Sequence, residues 1–302
     1  MFYGDLRYAK SAYEEGHNIT SLLKERFGLE QNSPEIIEIA YDLQAGSYVD
    51  SVKKNRDSWE AYTGEIASIL SHYCAEAESV LDVGTGEMTT LAGVAKCCYK
   101  SSFTYYACDI SLSRLIKGKR FVAEELPEDL VQKINPFVAD LFYLPFVDSS
   151  IDVIWTSHAL EPNGGREELA LAELLRVAKK KLILFEPYYE GNSPDGKARM
   201  DRLGYIKGLP EFIKECGATC EDIVPLDNIS NPLNPTYAFI ITPPAGCRKE
   251  AEKSPWACPA TKLPMEKVGN CYWSEYSMLA YPILQDVPVF RREAAILASA
   301  LK

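Results

Sequence analysis

Between residues 80 and 87 the chain reads Val80-Leu81-Asp82-Val83-Gly84-Thr85-Gly86-Glu87, an apolar run that passes directly into two glycines. Glycine there lets the chain turn tightly and lets a ligand reach the backbone without meeting a Cβ atom, while a helix starting just beyond offers free N–H groups. This is the chemistry of a nucleotide-type site. Asp109 closes the next apolar run, where a carboxylate can accept both hydroxyls of a ribose. Asp140-Leu141 closes a third, where a carboxylate and the following backbone N–H suit an adenine edge. Farther on, Thr156-Ser157-His158-Ala159-Leu160-Glu161-Pro162-Asn163-Gly164-Gly165 is a polar, glycine-bearing loop. His158 titrates near neutrality without help, and Glu161 does so once partly buried, so either suits a general base.

These residues need a frame that brings strand ends together. From Ser79 onward, short apolar segments alternate with amphipathic ones, the pattern of a parallel sheet covered on both faces. Strands are expected at 79–83, 103–109, 135–140, 151–157, 181–186, 219–225 and 236–242, and helices at 89–98, 112–126, 166–177 and 197–216. Residues 1 to 75 read as helical, with segments at 11–27, 35–42 after Pro34, and 59–73. The alternation stops after Pro243-Pro244.

Each motif also has a local explanation: Gly84 and Gly86 as a turn, Asp109 as a helix cap before Leu112, Asp140 as a solvated side chain. What the local explanation leaves unaccounted for is that all three fall at strand ends on one edge. A hydride-transferring dehydrogenase would use the same loop and acid, but it would want a third glycine where Thr89 stands.

Together the three strand ends resemble the class I S-adenosylmethionine-dependent methyltransferases, over about residues 79 to 242. Asp82, Gly84 and Gly86 match the first loop, Asp109 the ribose position and Asp140 with Leu141 the adenine position. The stretch from Phe146 to Ile154 is similar to the family's approach to its fourth strand. The resemblance implies an α/β fold, a doubly wound seven-stranded Rossmann-like sheet at 76–244 behind a helical extension at 1–75, with S-adenosylmethionine as cofactor. It implies that the extension closes over the cofactor, with Tyr48 or Gln44 near its methionine end and Trp59 or Tyr62 walling the pocket. Those aromatic residues equally suit plain packing of the helices. Loops after the fourth and fifth strands commonly form the acceptor pocket in the family, which makes Glu186, Tyr188, Arg199 and Tyr205 substrate-side candidates. Arg199 suits a carboxylate or phosphate on the acceptor, or else a surface ion pair.

The tail, residues 245–302, is expected to form a small β-rich ribbon-like domain. Its segments Ser254-Pro255-Trp256-Ala257-Cys258-Pro259-Ala260-Thr261 and Ala280-Tyr281-Pro282-Ile283 through Phe290 resemble the small zinc-ribbon-like proteins that activate methyltransferases. Thr261 stands where that family has its second cysteine. Cys258, Cys271 and Cys247 leave a four-ligand zinc site at least one thiolate short unless Glu275 or a remote cysteine completes it, so no metal is assigned. A metal-free ribbon would be held by Trp256, Tyr272, Trp273, Tyr276, Tyr281 and Phe290, and would cover an edge of the sheet.

The chain has 302 residues and a formal net charge of −11. That disfavours bulk nucleic acid as a partner, since such binding depends on neutralising phosphates, and the densest basic run, Lys179-Lys180-Lys181, reads as a solvated helix end. A small-molecule acceptor fits better; a protein, peptide or RNA component recruited by the tail is the alternative, as is a non-catalytic scaffold. Self-association is left open. Nothing in the sequence reads as a membrane span or signal peptide, and the nine cysteines show no disulfide framework, so a cytoplasmic protein with mostly reduced, buried cysteines is expected.

Overall fold

A computed structural model describes residues 2–98, 103–244 and 254–302. Five helices precede the sheet: α1 (Leu6–Glu14), α2 (Ile19–Phe27), α3 (Pro34–Leu43), α4 (Ser47–Lys54) and α5 (Arg56–Tyr73). The single helix expected at 11–27 is broken, because Gly16 takes φ 86° and Asn18 caps a new helix by accepting the Ser21 N–H. Pro34 occupies the first turn of α3, with Ser33 as its cap. The short α4 was not foreseen, and it starts at Gly46 with φ 109°.

The central sheet comprises β1 (Ser79–Val83), β2 (Thr104–Asp109), β3 (Ile134–Val138), β4 (Ile151–Ser157), β5 (Ala178–Pro187), β6 (Thr219–Pro225) and β7 (Thr236–Thr242), in the order β3-β2-β1-β4-β5-β7-β6. The strands are parallel except β7, which is antiparallel to both β5 and β6. It is a doubly wound, Rossmann-like sheet. Near-continuous apolar runs such as Ile151 to Thr156, buried throughout, follow from coverage on both faces. One face is covered by α5, α6 (Thr89–Cys97), α7 (Leu112–Glu125) and α8 (Glu128–Val131), packed on Val80, Trp155 and Phe185. The other receives α9 (Glu167–Val177) and α11 (Leu209–Glu215), with α10 (Pro194–Leu203) between them in the chain. The helix expected at 197–216 is thus two helices, because Gly204 and Gly208 adopt φ 69° and 67°, a left-handed conformation that ends one helix and starts the next.

β1 lies between β2 and β4, so the connection leaving β1 goes one way and the chain returns on the other side. At such a reversal the loops beyond the carboxyl ends of the strands separate and leave a crevice. The sequence motifs therefore converge there.

The tail forms a second, small sheet of β8 (Glu266–Val268), β9 (Cys271–Ser274), β10 (Leu279–Leu284), β11 (Val287–Pro288) and β12 (Ile296–Leu297). Its chain adds to the edge of the large sheet: Val289 bridges Val138 of β3, and the Phe290 N–H donates to the Val138 carbonyl at 2.7 Å. Trp256 stacks on Phe146 at 4.8 Å and meets Phe137 edge-on at 5.2 Å, while Phe290 and Tyr281 are fully buried in the same core. Tyr276, expected in this core, is 68% exposed instead. Arg291 reaches back to Glu38 of α3 at 2.8 Å, so tail and helical extension touch.

Among the described residues no group of His, Cys, Asp and Glu is arranged to hold a metal; Cys247 lies outside them. The Cys258 thiol instead sits 3.3 Å from the Tyr281 hydroxyl, and burial, which raises its pKa, is outweighed by hydrogen bonds from Thr261 and Tyr281. Of the eight described cysteines, only Cys74, Cys108 and Cys258 are buried, fewer than expected. The lysine run begins β5, and its members pair with carboxylates: Lys179 and Lys180 with Asp152, Lys181 with Glu221. No described helix is long and apolar enough to cross a membrane.

Candidate functional site

The crevice is a cavity of about 1160 Å³ bounded by β-strand ends below and by α3, α4 and α5 above. Asp82, Gly84, Asp109, Asp140, Leu141, Tyr48, His158, Glu161 and Arg199 all line it, as do Trp59 and Tyr62. Gln44 does not; it borders a separate, smaller cavity.

The glycine loop is fixed by geometry that other residues would spoil. Gly84 has φ 74°, and a Cβ there would lie 2.3 Å from the Ala159 side chain, so the β4 loop can pass only because the side chain is absent. Gly84 and Thr85 donate their N–H groups to the Cys108 carbonyl. Asp82, beneath them, accepts the Thr85 hydroxyl at 2.6 Å, and burial pushes its pKa up to about 8. Asp109 is 5% exposed; one oxygen accepts the Gly86 N–H at 2.8 Å and the other the Ser111 N–H at 2.9 Å. Each oxygen keeps a lone pair for a ligand. β3 ends at Val138, two residues earlier than the sequence suggested, so Asp140 lies in the loop and accepts the Phe142 N–H.

Above this floor, Glu87 has a role that no local motif announces. It is 1% exposed, and its carboxylate accepts the N–H groups of Gly46, Tyr48 and Val49. A charged acceptor thereby caps the start of α4 from a distant part of the chain and fastens the helical extension to the glycine loop. Trp59 adds a hydrogen bond from its indole N–H to the Thr89 carbonyl, and Ser111 donates to Asp42. Arg114, equally unforeseen, lies across Gly86 between the rings of Tyr41 and Tyr48.

At the other end of the cavity, His158 has φ 55°, a conformation that costs a non-glycine residue and persists only where neighbours enforce it. Here its Nδ1 bonds to Glu161 Oε2 at 2.5 Å and its Nε2 to the Thr236 hydroxyl at 2.7 Å. Burial lowers the imidazole pKa, but the hydrogen bond and charge of Glu161 outweigh it and hold the pKa above the ordinary histidine value. Glu161 is pushed up by burial, yet His158 and the Asn234 amide, 3.1 Å away, bring it below the usual range. The Tyr62 hydroxyl bonds to Ser157 at 2.9 Å and also to Thr236, which brings α5 onto the same polar group.

Two substrate-side expectations are corrected. Glu186 is fully buried and outside the cavity; it accepts the Thr156 hydroxyl and the N–H groups of Ala159, Leu160 and Glu161, so it shapes the loop that carries His158. Burial pushes its pKa to about 7 despite those donors and the nearby His158. Tyr188 packs on Tyr237 and Phe239, also away from the cavity. Arg199 does line it, and Tyr205 packs against Arg199 at 5.3 Å and bonds to Glu161. The sequence missed the hairpin between β6 and β7, which contributes Asp227, Asn228, Ser230, Asn231 and Asn234; a run of amides and hydroxyls between two strands reads as an ordinary turn.

Residues 80–181 match the family model for a methyltransferase domain. S-adenosylmethionine is the cofactor of such a domain, and a cavity lined by Asp109, whose oxygens each keep a lone pair, and by Asp140 and Leu141 fits that molecule. No curated protein matches the chain. Among solved structures, the chain is similar to a SAM-dependent methyltransferase from Aquifex aeolicus, with 17% identity and TM-score 0.42 over 58% of this chain and 88% of that one. It is similar to geranyl diphosphate C-methyltransferase from Streptomyces coelicolor A3(2), with 13% identity and TM-score 0.45 over 59% and 76%. It is also similar to a Haloferax volcanii complex containing the Trm112 methyltransferase activator, with 18% identity and TM-score 0.48 over 68% and 97%.

Proposed function

We propose, with a methyltransferase domain as premise, that the protein transfers a methyl group from S-adenosylmethionine to an oxygen or nitrogen atom of a small-molecule acceptor. The observation that carries this reading is the continuity of the cavity: one space of about 1160 Å³ joins Asp109 and the glycine loop to the His158–Glu161 pair. We assign Asp82, Gly84, Asp109, Asp140, Leu141 and Tyr48 to its cofactor side, with Gly86 behind that lining, and Arg199, with Tyr205 packed against it, to the acceptor side.

When bound, the cofactor supplies a methyl group on a sulfonium centre. The protein's own work is to align the attacking atom with that methyl and exclude water, which can account for much of the rate. Roofing by α3, α4 and α5 supports the exclusion. For a hydroxyl or ammonium acceptor a proton must also leave. In its neutral form His158 takes that proton at Nε2, directly or through the Thr236 hydroxyl, while Glu161 holds Nδ1 and stabilises the imidazolium that forms.

We assign the boundaries 1–75, 76–244 and 245–302 to an extension, the catalytic domain and an activator-like ribbon. The ribbon's role is to cover the β3 edge, since unpaired edges invite wrong pairing and tethering makes the cover intramolecular. The backbone bond from Phe290 to Val138 and the Trp256–Phe146 stack support that role.

Calorimetric titration with S-adenosylmethionine, S-adenosylhomocysteine and NAD tests the cofactor side. Saturable binding of the two S-adenosyl ligands without NAD is expected; binding of neither overturns the reading. Transfer from methyl-labelled cofactor to a panel of small alcohols, amines and carboxylates, set against peptides and RNA fragments, then decides the acceptor class.

A further inference from the structure

Arg114 is a buried cation that two carboxylates approach without hydrogen-bonding it. Its side chain is 8% exposed, yet the nearest carboxylate oxygens, on Glu87 and Asp109, are 3.9 and 4.0 Å away, beyond hydrogen-bond distance. Nε has no hydrogen-bond partner. A guanidinium has five N–H donors in one plane, and burying them unpaired is costly. Buried polar groups left unsatisfied in a native fold call for an explanation such as a missing ligand.

The surroundings narrow what that ligand is. Tyr41 and Tyr48, with ring centroids 5.1 and 4.6 Å from the guanidinium carbon, engage it through their aromatic faces, and Arg114 lines the large cavity. Both neighbouring carboxylates are already committed, Glu87 to three N–H groups of α4 and Asp109 to the N–H groups of Gly86 and Ser111. The charge of Arg114 is nevertheless kept: burial lowers its pKa, but Asp109 and the neighbouring tyrosines and Glu87 more than restore it. What the site lacks is an anion with two oxygens in the guanidinium plane. S-adenosylmethionine carries a single anionic group, its carboxylate. Arg114 touches only cofactor-side residues, since a Cβ on Gly86 would come within 2.4 Å of its Nη2, and none of His158, Glu161 or Arg199 contacts it.

We propose that Arg114 is the residue that binds the cofactor's carboxylate, held ready by Tyr41 and Tyr48. The proposal rests on the methyltransferase reading above and adds to it a recognition residue on the helix that follows Asp109. Because the two tyrosines come from the helical extension, carboxylate binding would also tie that extension to the catalytic domain.

The test is calorimetric titration of the full chain with S-adenosylmethionine and with its decarboxylated form, on the unaltered protein and on Arg114→Met and Arg114→Lys. The unaltered protein should bind the decarboxylated form about 10–100-fold more weakly, the size expected of charge-assisted hydrogen bonds. Arg114→Met should lose a similar factor for S-adenosylmethionine and stay within about twofold for the decarboxylated form, with Arg114→Lys between. Equal affinity of the unaltered protein for both ligands overturns the proposal, even if Arg114→Met fails to fold. So does an equal loss for both ligands in the variants. If the unaltered protein binds neither ligand, the methyltransferase reading fails and this proposal with it; if the unaltered protein discriminates between the two and Arg114→Met discriminates equally well, only the assignment to Arg114 fails.

Discussion

His158 Nε2 lies 2.7 Å from the hydroxyl of Thr236, which joins the loop after β4 to the first residue of β7 across 78 positions of sequence. With Glu161 on the opposite ring nitrogen, the imidazole is held at both ends, which explains how it keeps an unfavourable φ of 55°. A histidine so clamped has one orientation and a charge set by its neighbours. The groups facing it are Glu161 and Glu186 from the same loop and β5, Arg199 from α10, and Tyr62 from α5.

The sign of the pH dependence follows. The folded-state pKa of His158 is raised above its ordinary 6.5, so at low pH the imidazole is protonated and cannot accept a proton. Methyl transfer to a hydroxyl should rise with pH through the raised pKa and then level off. The same shift stabilises the fold fully below the unfolded value and loses its effect as pH rises through the folded one. NMR titration of the His158 ring protons should give a midpoint above 6.5, and Glu161→Gln should bring it down. An unchanged midpoint in that variant would remove Glu161 as the cause.

Asp109 has two duties, and substitution should expose both. Asp109→Ala removes the acceptor for Gly86 and Ser111 N–H groups as well as the oxygens proposed to hold the ribose, so S-adenosylhomocysteine affinity should fall about 100-fold with a stability loss of about 1–3 kcal/mol. Asp109→Asn, which keeps one acceptor oxygen, should recover much of the stability and little of the affinity. Calorimetry beside thermal melts reads both. Unchanged affinity in the alanine variant would mean that Asp109 only shapes the loop.

The strand–helix alternation was legible because buried parallel strands need near-continuous apolar runs, and β1 and β4 begin and end where those runs do. Asp82, Gly84 and Asp109 could be found for a related reason: a strand end is a fixed place, and a carboxylate or glycine there has few other uses. Elements defined by distant partners were not legible. Glu87 looks like any surface acid until the chain from Gly46 to Val49 folds over it, 38 to 41 positions away. Arg114 sits in an amphipathic helix among Lys117, Lys119 and Arg120, where nothing local marks it as the one that points inward. Glu186 misled in the opposite direction, since a carboxylate at the end of a central strand resembles a ligand residue yet spends its oxygens on its own loop.

If Glu87 fastens the helical extension to the glycine loop, its removal should loosen one without unfolding the other. Glu87→Ala leaves three N–H groups at the start of α4 without their charged acceptor. Limited proteolysis should then cut between residues 44 and 55 faster than in the unaltered protein, and S-adenosylhomocysteine affinity should fall about 10-fold, because the roof must be reordered on binding. Ligand at saturation should restore resistance. Cleavage at the original rate would show that Trp59, Asp42 and Arg114 hold the extension without Glu87.

The tail contributes to the same core as the large sheet, so its anchor should matter to the whole fold. Trp256 stacks on Phe146, touches Phe137, Phe290 and Tyr106 at ring distances of 4.8 to 5.4 Å, and is only partly exposed. Replacing it with alanine leaves a cavity over β3 and should cost about 3 kcal/mol, which lowers the melting temperature by about 5–10 °C in a chain of this size. Removing residues 254–302 goes further: Phe137 and Phe146 lose their cover and the β3 edge its bond to Phe290, so the truncated protein should self-associate more than the intact one. Sedimentation of the two proteins at equal concentration reads this directly. A monodisperse truncated chain with unchanged cofactor affinity would mean that the tail serves neither edge cover nor pocket, and would turn attention to its exposed Ile296 and Leu297 as a recruiting surface.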